Sequence, residues 1–282
     1  MLPMGTRLRN PRRSNVASPI AAPVSTWTQF TPAALQPALW LDASDASTIT
    51  ESSGSVSEWR DKSANVYAFT QATSTAQPTT GSTTQNGLNV LSFDGVSQTL
   101  LSSAAASTWS FLHNGTHFIY GVVLQRAVIS VAHIHMQTTA TIGGVTQPGF
   151  AARHLANNTV SFIVVNNNQS ATPGNNAVVN ATTTATTSTS PRVITAHVRP
   201  DTVSTARCTI LLDGAIYQQT QGSAATPTTV DPYTSLYIGS NAGASGYWNG
   251  WIAEIVVLTG SAVTENNRQR LHEYLNRKWA VY

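Results

Sequence analysis

One stretch near the C-terminus decides the fold of this 282-residue chain: SGYWNGWIAEIVVLTGSAVTENNRQRLHEYLNRKW, residues 245–279. Its first half becomes apolar after Gly250, with Glu254 as the single exception, and this run predicts a strand over residues 251–258 that is buried on both faces. We expect Gly250 to mark a tight backbone approach at the entry to the strand. Strict alternation would then place Ile252 and Val256 on the same face.

The second half of the stretch predicts a C-terminal helix over residues 264–279. Thr264 can cap its N-terminus, and Arg277 and Lys278 in its last turn suit the negative end of the helix dipole. Apolar residues recur at i, i+3, i+4 and i+8, and they are Leu271, Tyr274, Leu275 and Trp279. This stripe predicts a helix whose apolar face packs on a sheet.

Three aromatic residues surround Gly250, and they raise the possibility of a sugar-binding platform. Trp251 lies inside the predicted strand, so we expect it to pack beneath the helix. Tyr247 and Trp248 precede the strand in a loop. These two residues remain the candidates for stacking on a glycan.

In the rest of the chain, short β-type runs alternate with turn segments that are rich in Gly, Asn, Ser and Thr. The predicted strands are 37–43, 89–95, 117–125, 128–136, 159–166, 192–199, 206–219, 234–240 and 251–258. Their spacing indicates an antiparallel sandwich or jelly roll. Asp213-Gly214 predicts a hairpin turn. Two low-complexity stretches, 70–87 and 172–191, are predicted to be long surface loops.

The composition indicates a β-rich protein exposed to its environment. Charged residues are 10% of the chain, against about a quarter in an average soluble domain. A single cysteine, Cys208, excludes an intrachain disulfide and a cysteine-based metal site. No run reaches the length of a membrane helix, and the start of the chain is too interrupted by proline for a signal peptide. We therefore expect no membrane association and no export by the usual route.

The N-terminal segment, residues 1–34, is predicted to be an extended, proline-rich and basic arm. Its charge comes from Arg7, Arg9, Arg12 and Arg13, whereas the rest of the chain is close to neutral. Arginine can form several hydrogen bonds in a groove of a neighbouring protein, so we favour docking on a protein partner. The alternatives are a solubilising tail and contact with nucleic-acid phosphates; without interleaved aromatics, we do not expect a nucleic-acid partner.

Three segments of the sequence resemble the concanavalin A-like (laminin G-like) jelly-roll superfamily. They are ALWLDASDASTIT with GSVSEWRDKSAN (38–65), NGLNVLSFDG (86–95) and the stretch from LYIGSN to HEYLNRKW (236–279). The resemblance implies an all-β, antiparallel jelly-roll domain over residues 35–282. Domains of this type are frequent in bacterial secreted proteins and in bacteriophage virion proteins.

Some members of this superfamily are glycoside hydrolases, which require paired carboxylates across the sugar bond. This sequence has no Glu-x-Asp-x-Glu run: Glu254 stands alone in its strand, and Glu58 and Asp61 lie in a turn. We expect Glu254 to bind backbone or an arginine instead. The sequence also lacks a nucleophile elbow and a phosphate-binding loop. We therefore predict that the protein is not an enzyme and has no catalytic residues.

The sequence offers two weak indications of a metal site. His133 and His135 lie on the same side of a predicted strand, but a third ligand is not identifiable, so we favour ordinary surface-strand histidines. Relatives often carry calcium at the rim of the sandwich, where Asp94 or Asp213 could contribute. Both aspartates are explained equally well as turn residues. We expect no metal and no cofactor, with calcium as the alternative.

Two functions follow from the resemblance, the arm and the composition. The first is a non-catalytic structural protein of a bacteriophage virion, namely a capsid decoration, head fibre or tail component. In this role the arm would anchor the jelly roll to other virion proteins, and we expect a homo-oligomer on the extracellular particle. The alternative is a lectin-like adhesion module that binds host or environmental polysaccharide.

Overall fold

The computed structural model describes residues 30–127, 131–142, 144–156, 159–165, 177–183, 189–200, 207–218 and 226–282. Within these ranges the chain forms eighteen β-strands and one α-helix. In chain order they are β1 (Leu39–Asp42), β2 (Ile49–Ser52), β3 (Ser55–Arg60), β4 (Ala68–Thr70), β5 (Thr84–Gln85), β6 (Leu88–Asn89), β7 (Leu91–Asp94), β8 (Leu100–Ser102), β9 (Phe118–Arg126), β10 (His133–Ile142), β11 (Val145–His154), β12 (Val160–Val165), β13 (Ala177–Thr182), β14 (Arg192–Val198), β15 (Cys208–Leu212), β16 (Ala215–Gln218), β17 (Thr234–Ile238), β18 (Asn249–Thr259) and α1 (Glu265–Trp279).

The strands form two antiparallel sheets that pack face to face. The first sheet has the order β1, β18, β9, β14, β15 and β16, and β7 also pairs with β18. The second has the order β13, β12, β11, β10, β17, β8, β4, β3 and β2. Strands β5 and β6 form a separate small ribbon. The predicted all-β, antiparallel jelly-roll sandwich with a short C-terminal helix is confirmed.

Apolar side chains fill two layers, one between the sheets and one beneath the helix. The inner layer contains the largest buried aromatic residues, among them Trp59, Phe69, Trp109, Tyr120, Phe162 and Trp248. The outer layer joins the first sheet to α1 through Trp40, Trp251, Leu271, Tyr274, Leu275 and Trp279. The predicted apolar stripe of the helix therefore packs on the sheet as expected, with Trp251 beneath it.

The helix begins and ends where the sequence predicts. Thr264 is the N-cap, and its hydroxyl accepts a hydrogen bond of 3.1 Å from the backbone N–H of Asn267. The last turn carries Arg277 and Lys278, and cations there complement the helix dipole.

Strand β18 contains a bulge that reverses its side-chain alternation. Its pairing with β9 shifts register between Ile252 and Glu254. As a result Ile252 faces the inner core, whereas Val256 faces the helix. The prediction that these two residues share a face is wrong, because one extra residue exchanges the faces of everything that follows.

Gly250 provides the tight approach that the sequence predicts at the start of this strand. Its φ is +139°, and an added Cβ would lie 2.0 Å from the backbone oxygen of Gln125. No side chain fits so close to a backbone atom of the neighbouring strand, so β18 can pair with β9 here only through glycine.

The Asp213-Gly214 hairpin and the low-complexity stretch 172–191 have different outcomes. Asp213 and Gly214 both adopt positive φ and connect β15 to β16, which confirms the predicted turn. The stretch 172–191 contains β13, which pairs with β12. The prediction of a loop throughout 172–191 is therefore wrong, since backbone pairing at a sheet edge does not require a long apolar run.

Candidate functional site

The loop between β17 and β18 carries both residues predicted to stack on a glycan. Trp248 is fully buried between the sheets, and its indole N–H donates a 3.3 Å hydrogen bond to the carbonyl oxygen of Trp251. It has no exposed face to offer to a sugar. The prediction for Trp248 is therefore wrong, because the indole is part of the inner core.

Tyr247 is half-buried and remains accessible. Its hydroxyl donates a 2.5 Å hydrogen bond to the carbonyl oxygen of Gly243. Tyr237 of β17 also lies against this glycine, since a Cβ on Gly243 would be 3.2 Å from its ring. Tyr237 is also half-buried. We call Tyr237, Asn241, Gly243, Ser245 and Tyr247 the tyrosine patch.

Hydrogen bonds within the loop hold the tyrosine patch in one conformation. The backbone N–H of Asn241 donates to the carbonyl oxygen of Ser245 at 2.8 Å, and its side-chain amide donates to the Ser245 hydroxyl at 3.1 Å. Gln137 of β10 donates to the Asn241 side-chain oxygen. The patch thus combines two accessible phenol rings with fixed amide and hydroxyl groups, a chemistry suited to sugar rings and their hydroxyls.

Three histidines surround Trp248 beneath this loop. The rings of His133, His135 and His154 lie 6.2, 5.5 and 5.3 Å from the indole, measured between ring centroids. We call these three residues the histidine cluster. All three are buried, so the expectation of surface-strand histidines is wrong for His133 and His135.

Some ring nitrogens of the histidine cluster form hydrogen bonds. Nδ1 of His135 shares a 2.6 Å hydrogen bond with the hydroxyl of Tyr120, and Nδ1 of His133 accepts one of 3.1 Å from Arg126. In the described part of the chain, no group of three or more His, Cys, Asp or Glu residues is arranged to hold a metal ion. Burial, followed by the charge of Arg126, lowers the pKa of His133 to about 4 and of His135 to about 3.

Glu254 is the centre of a second buried polar group, on the helix side of the first sheet. Its Oε1 accepts hydrogen bonds from the indole of Trp40 at 2.7 Å and from the hydroxyl of Tyr274 at 3.0 Å. Its Oε2 accepts from Lys278 at 2.8 Å and from the indole of Trp279 at 2.7 Å. Burial and then the charge of Asp42 raise the pKa of Glu254. The expectation of a backbone or arginine partner is wrong, since all four donors are other side chains.

Asp42 extends this group and brings both lysines of the chain into it. Its carboxylate accepts hydrogen bonds from Lys278 at 2.7 Å and from Lys62 at 2.9 Å. Burial would raise the pKa of Asp42, but Lys278, Ser44 and Lys62 outweigh it and lower that pKa. Two of the segments that carry the family resemblance therefore meet in one network that joins β1, β18 and α1. We call Asp42, Lys62, Glu254 and Lys278 the charge network.

The remaining carboxylates considered in the sequence serve local structure. Asp61 accepts hydrogen bonds from the backbone N–H groups of Trp40 and Ser63 at 2.7 and 2.8 Å. Glu58 forms an exposed ion pair with Arg60.

The two calcium candidates also serve local structure, Asp94 within its own turn and Asp213 by bonds from the hairpin to the neighbouring strand β14. Asp94 accepts from the backbone N–H groups of the three residues Val96, Ser97 and Gln98. Asp213 accepts a 2.8 Å hydrogen bond from the backbone N–H of Val193 and pairs with Arg192. The calcium alternative stays a prediction.

The N-terminal arm reaches the body of the protein at the C-terminal helix. The ring of Phe30 lies edge-on to Tyr274 at 6.1 Å, and the guanidinium of Arg270 lies 4.4 Å from the centroid of the same ring. A groove of about 230 Å³ adjoins this contact and is lined by Phe30, Thr31, Tyr274, Arg277 and Lys278. Arg7, Arg9, Arg12 and Arg13 lie outside the described residues.

No helix in the described ranges is long and apolar enough to cross a membrane.

Comparison with known proteins gives similarity to solved structures alone. No protein-family model matches the chain, and no curated protein matches it. Trypanosoma rangeli sialidase in complex with 2,3-difluoro-KDN is similar with a TM-score of 0.53 and 13% identity, covering 85% of this chain and 32% of the sialidase. The same sialidase in complex with sialic acid has a TM-score of 0.52 at 13% identity, with 85% and 33% covered. The botulinum neurotoxin serotype G binding domain has a TM-score of 0.51 at 9% identity, with 86% and 51% covered.

The likeness is one of fold. The chain spans about a third of the length of the sialidases and about half of the toxin domain. The prediction that the protein is not an enzyme is overturned, because similar structures include sialidases. A missing carboxylate run therefore does not exclude catalysis for a chain of this fold. At 13% identity the comparison transfers no catalytic residue to this chain.

Proposed function

We propose that this chain is a β-sandwich binding module that recognises a glycan through the tyrosine patch. The observation that carries the proposal is the pair of accessible rings, Tyr237 of β17 and Tyr247 of the hydrogen-bonded loop, both of which lie next to Gly243. The similar structures support a binding role, since they include a toxin binding domain.

The chemistry of the patch selects the class of sugar. Phenol rings bind the apolar face of a sugar ring, while the Asn241 amide and the Ser245 hydroxyl can exchange hydrogen bonds with its hydroxyls. None of the five patch residues carries a charge. We therefore expect a neutral hexose-containing glycan rather than an acidic one.

Replacement of Tyr247 by alanine should weaken glycan binding about tenfold, because one aromatic contact contributes about 1.5 kcal/mol. A glycan array identifies the ligand, and titration calorimetry then compares Kd values. Tyr233→Ala is the matched control, since Tyr233 is an exposed tyrosine outside the patch. Equal effects of the two substitutions would show that the tyrosine patch is not the binding site. Absence of binding to any neutral glycan would refute the proposed function.

We propose further that the module is displayed on a bacteriophage particle as a homo-oligomer, with its arm anchored to another virion protein. The basic, proline-rich composition of residues 1–34 supports this role. So does the contact of Phe30 with Tyr274 and Arg270, which gives the arm a fixed point of departure from the body.

Limited proteolysis tests the anchoring role. Trypsin should cleave the arm at Arg7, Arg9, Arg12 or Arg13 in the isolated protein, and the same bonds should be protected at least tenfold in purified particles, because docking removes them from the protease. Cleavage after Arg60, an exposed residue of the body, controls for access of the protease. Equal cleavage of the arm in both preparations would contradict anchoring.

A further inference from the structure

The histidine cluster lies directly beneath the loop that carries the tyrosine patch. His133 and His135 come from β10 and His154 from β11, and all three rings contact Trp248 at the end of the loop. The rings of His135 and His154 are 5.6 Å apart. Among the described residues, Nε2 of His135 and Nδ1 of His154 have no hydrogen-bond partner.

Hydrogen bonds to β10 and to Thr99 also hold this loop on the sandwich. The backbone N–H of Trp248 donates to the carbonyl oxygen of Gly239 at 2.8 Å, within the loop itself. The backbone N–H of Ile134 donates to Gly246 at 2.8 Å, and that of Gly239 donates to His135 at 3.2 Å. The hydroxyl of Ser240 hydrogen-bonds that of Thr99 at 2.7 Å, and Gln137 of β10 donates to the Asn241 side chain. The buried indole, the strand that bears the histidines and Thr99 therefore attach the loop to the sandwich.

Among the described residues, the charged groups that face the cluster are cations, and none of them is an anion that would stabilise a protonated imidazole. The groups that face it from β9 are Tyr120, which binds His135, and Arg126, which binds His133. From β14, the charge of Arg192 also acts on His154. Burial first, and then these cations and the neighbouring histidines, hold the pKa of His154 well below its usual range.

We propose that protonation of the histidine cluster releases the loop from Gly239 to Trp248, so that acidification disorders the tyrosine patch before the rest of the sandwich unfolds. A proton on any of the three rings places a positive charge against Trp248 and near the cation of Arg126, and no described carboxylate faces the ring. Opening the loop admits water to the rings and relieves this cost. The inference goes beyond the proposed function, since it concerns the loop in the absence of any ligand.

The size of the effect follows from the number of histidines that become hydrated. A histidine that titrates near 6.5 when exposed and far lower when buried makes the opening equilibrium about tenfold more favourable for each pH unit below 6.5. One hydrated histidine therefore gives about tenfold, and all three give up to about a thousandfold, between pH 7.5 and 5.5.

Hydrogen exchange followed by mass spectrometry, on the full chain between pH 7.5 and 5.5, tests the proposal. After correction for the intrinsic pH dependence of exchange, protection of amides 240–248 should fall at least tenfold more than that of amides in β12 and α1. Constant protection of the loop would overturn the proposal. So would a loss of protection at the same pH in the loop and in β12, since that would be global unfolding.

Two substitutions separate the cluster from other buried histidines. His154→Leu removes one titrating ring. The additional loss of loop protection on acidification should therefore be about tenfold smaller than in the wild type for each pH unit below 6.5. His113→Leu removes a buried histidine outside the cluster and should leave the pH dependence of the loop unchanged. Equal effects of the two substitutions would overturn the proposal. If His154→Leu does not fold, the pH dependence of hydrogen exchange in the wild-type loop tests the proposal alone. Because the readout needs no ligand, failure here is distinct from failure of the proposed function.

Discussion

Acidification from pH 7 to pH 4 should unfold the whole protein. Six of its seven histidines are buried, and they are His113, His133, His135, His154, His197 and His272. Burial, as the largest cause in each case, lowers the pKa of every one of them. The unfolded chain binds protons at these positions near pH 6.5. The unfolded state therefore carries more protons, and the free energy of unfolding falls as the pH falls.

The expected loss is comparable to the whole stability of an ordinary domain. Burial lowers the pKa of His113, His197 and His272 to about 4. A histidine with such a pKa contributes a loss of about 3 kcal/mol between pH 6.5 and pH 4. Even at half this value, six histidines remove about 10 kcal/mol, against a total of about 5–15 kcal/mol for a folded domain. Glu254 and Asp61, whose pKa values are raised mainly by burial, offset part of the loss.

Urea denaturation at pH 7.5, 6.5, 5.5 and 4.5 measures this effect, with circular dichroism as the signal. The free energy of unfolding should be constant above pH 7 and decline with increasing slope below 6.5. His113→Leu is informative here, because the variant should lose about 3 kcal/mol less than the wild type by pH 4. A free energy that stays constant between pH 7 and pH 5 would contradict the prediction.

The C-terminal part of the fold could be predicted because its signals are local. The cap at Thr264 and the spacing of Leu271 and Trp279 lie within one segment, and the helix follows them. Strand β11 was not predicted, because its sequence VTQPGFAARH contains Pro148-Gly149 and little alternation. Its glycine is explained by a distant residue, since a Cβ on Gly149 would be 2.4 Å from Nδ1 of His113.

The candidate sites depend on contacts that no local pattern contains. Tyr247 and Trp248 are adjacent aromatics in a loop, yet one is accessible and the other is core. The difference comes from histidines of β10 and β11, more than ninety residues earlier in the sequence. Glu254 likewise gives no sign in its own strand of the four donors that converge on it. The family resemblance indicated the segments 38–65 and 236–279, and the structure shows that the two segments meet in the charge network.

Replacement of Glu254 by glutamine should lower the free energy of unfolding by about 3–5 kcal/mol, the usual cost of removing one partner from a buried ion pair. Glutamine keeps the shape of the side chain, but it replaces one acceptor oxygen by an NH2 group, which is a donor. This NH2 group would face two other donors, either Trp40 and Tyr274 or Lys278 and Trp279. Thermal and urea denaturation at pH 7.5 measure the loss. Glu58→Gln is the matched control, and removal of its exposed pair with Arg60 should cost less than about 1 kcal/mol.

A double-mutant cycle with Lys278→Met tests whether the charge network acts as one unit. Lys278 bridges Glu254 and Asp42, so its loss leaves Glu254 without a cation, while Asp42 keeps Lys62. In Glu254→Gln the lysine no longer meets a second carboxylate, so its replacement should then cost less, and the two losses should fall short of additivity by about 1–3 kcal/mol. Strict additivity, or a loss in Glu254→Gln no larger than in Glu58→Gln, would show that the network does not hold α1 on the sheet. A shortfall in that range would mean that the helix is fixed by paired charges in addition to its apolar stripe.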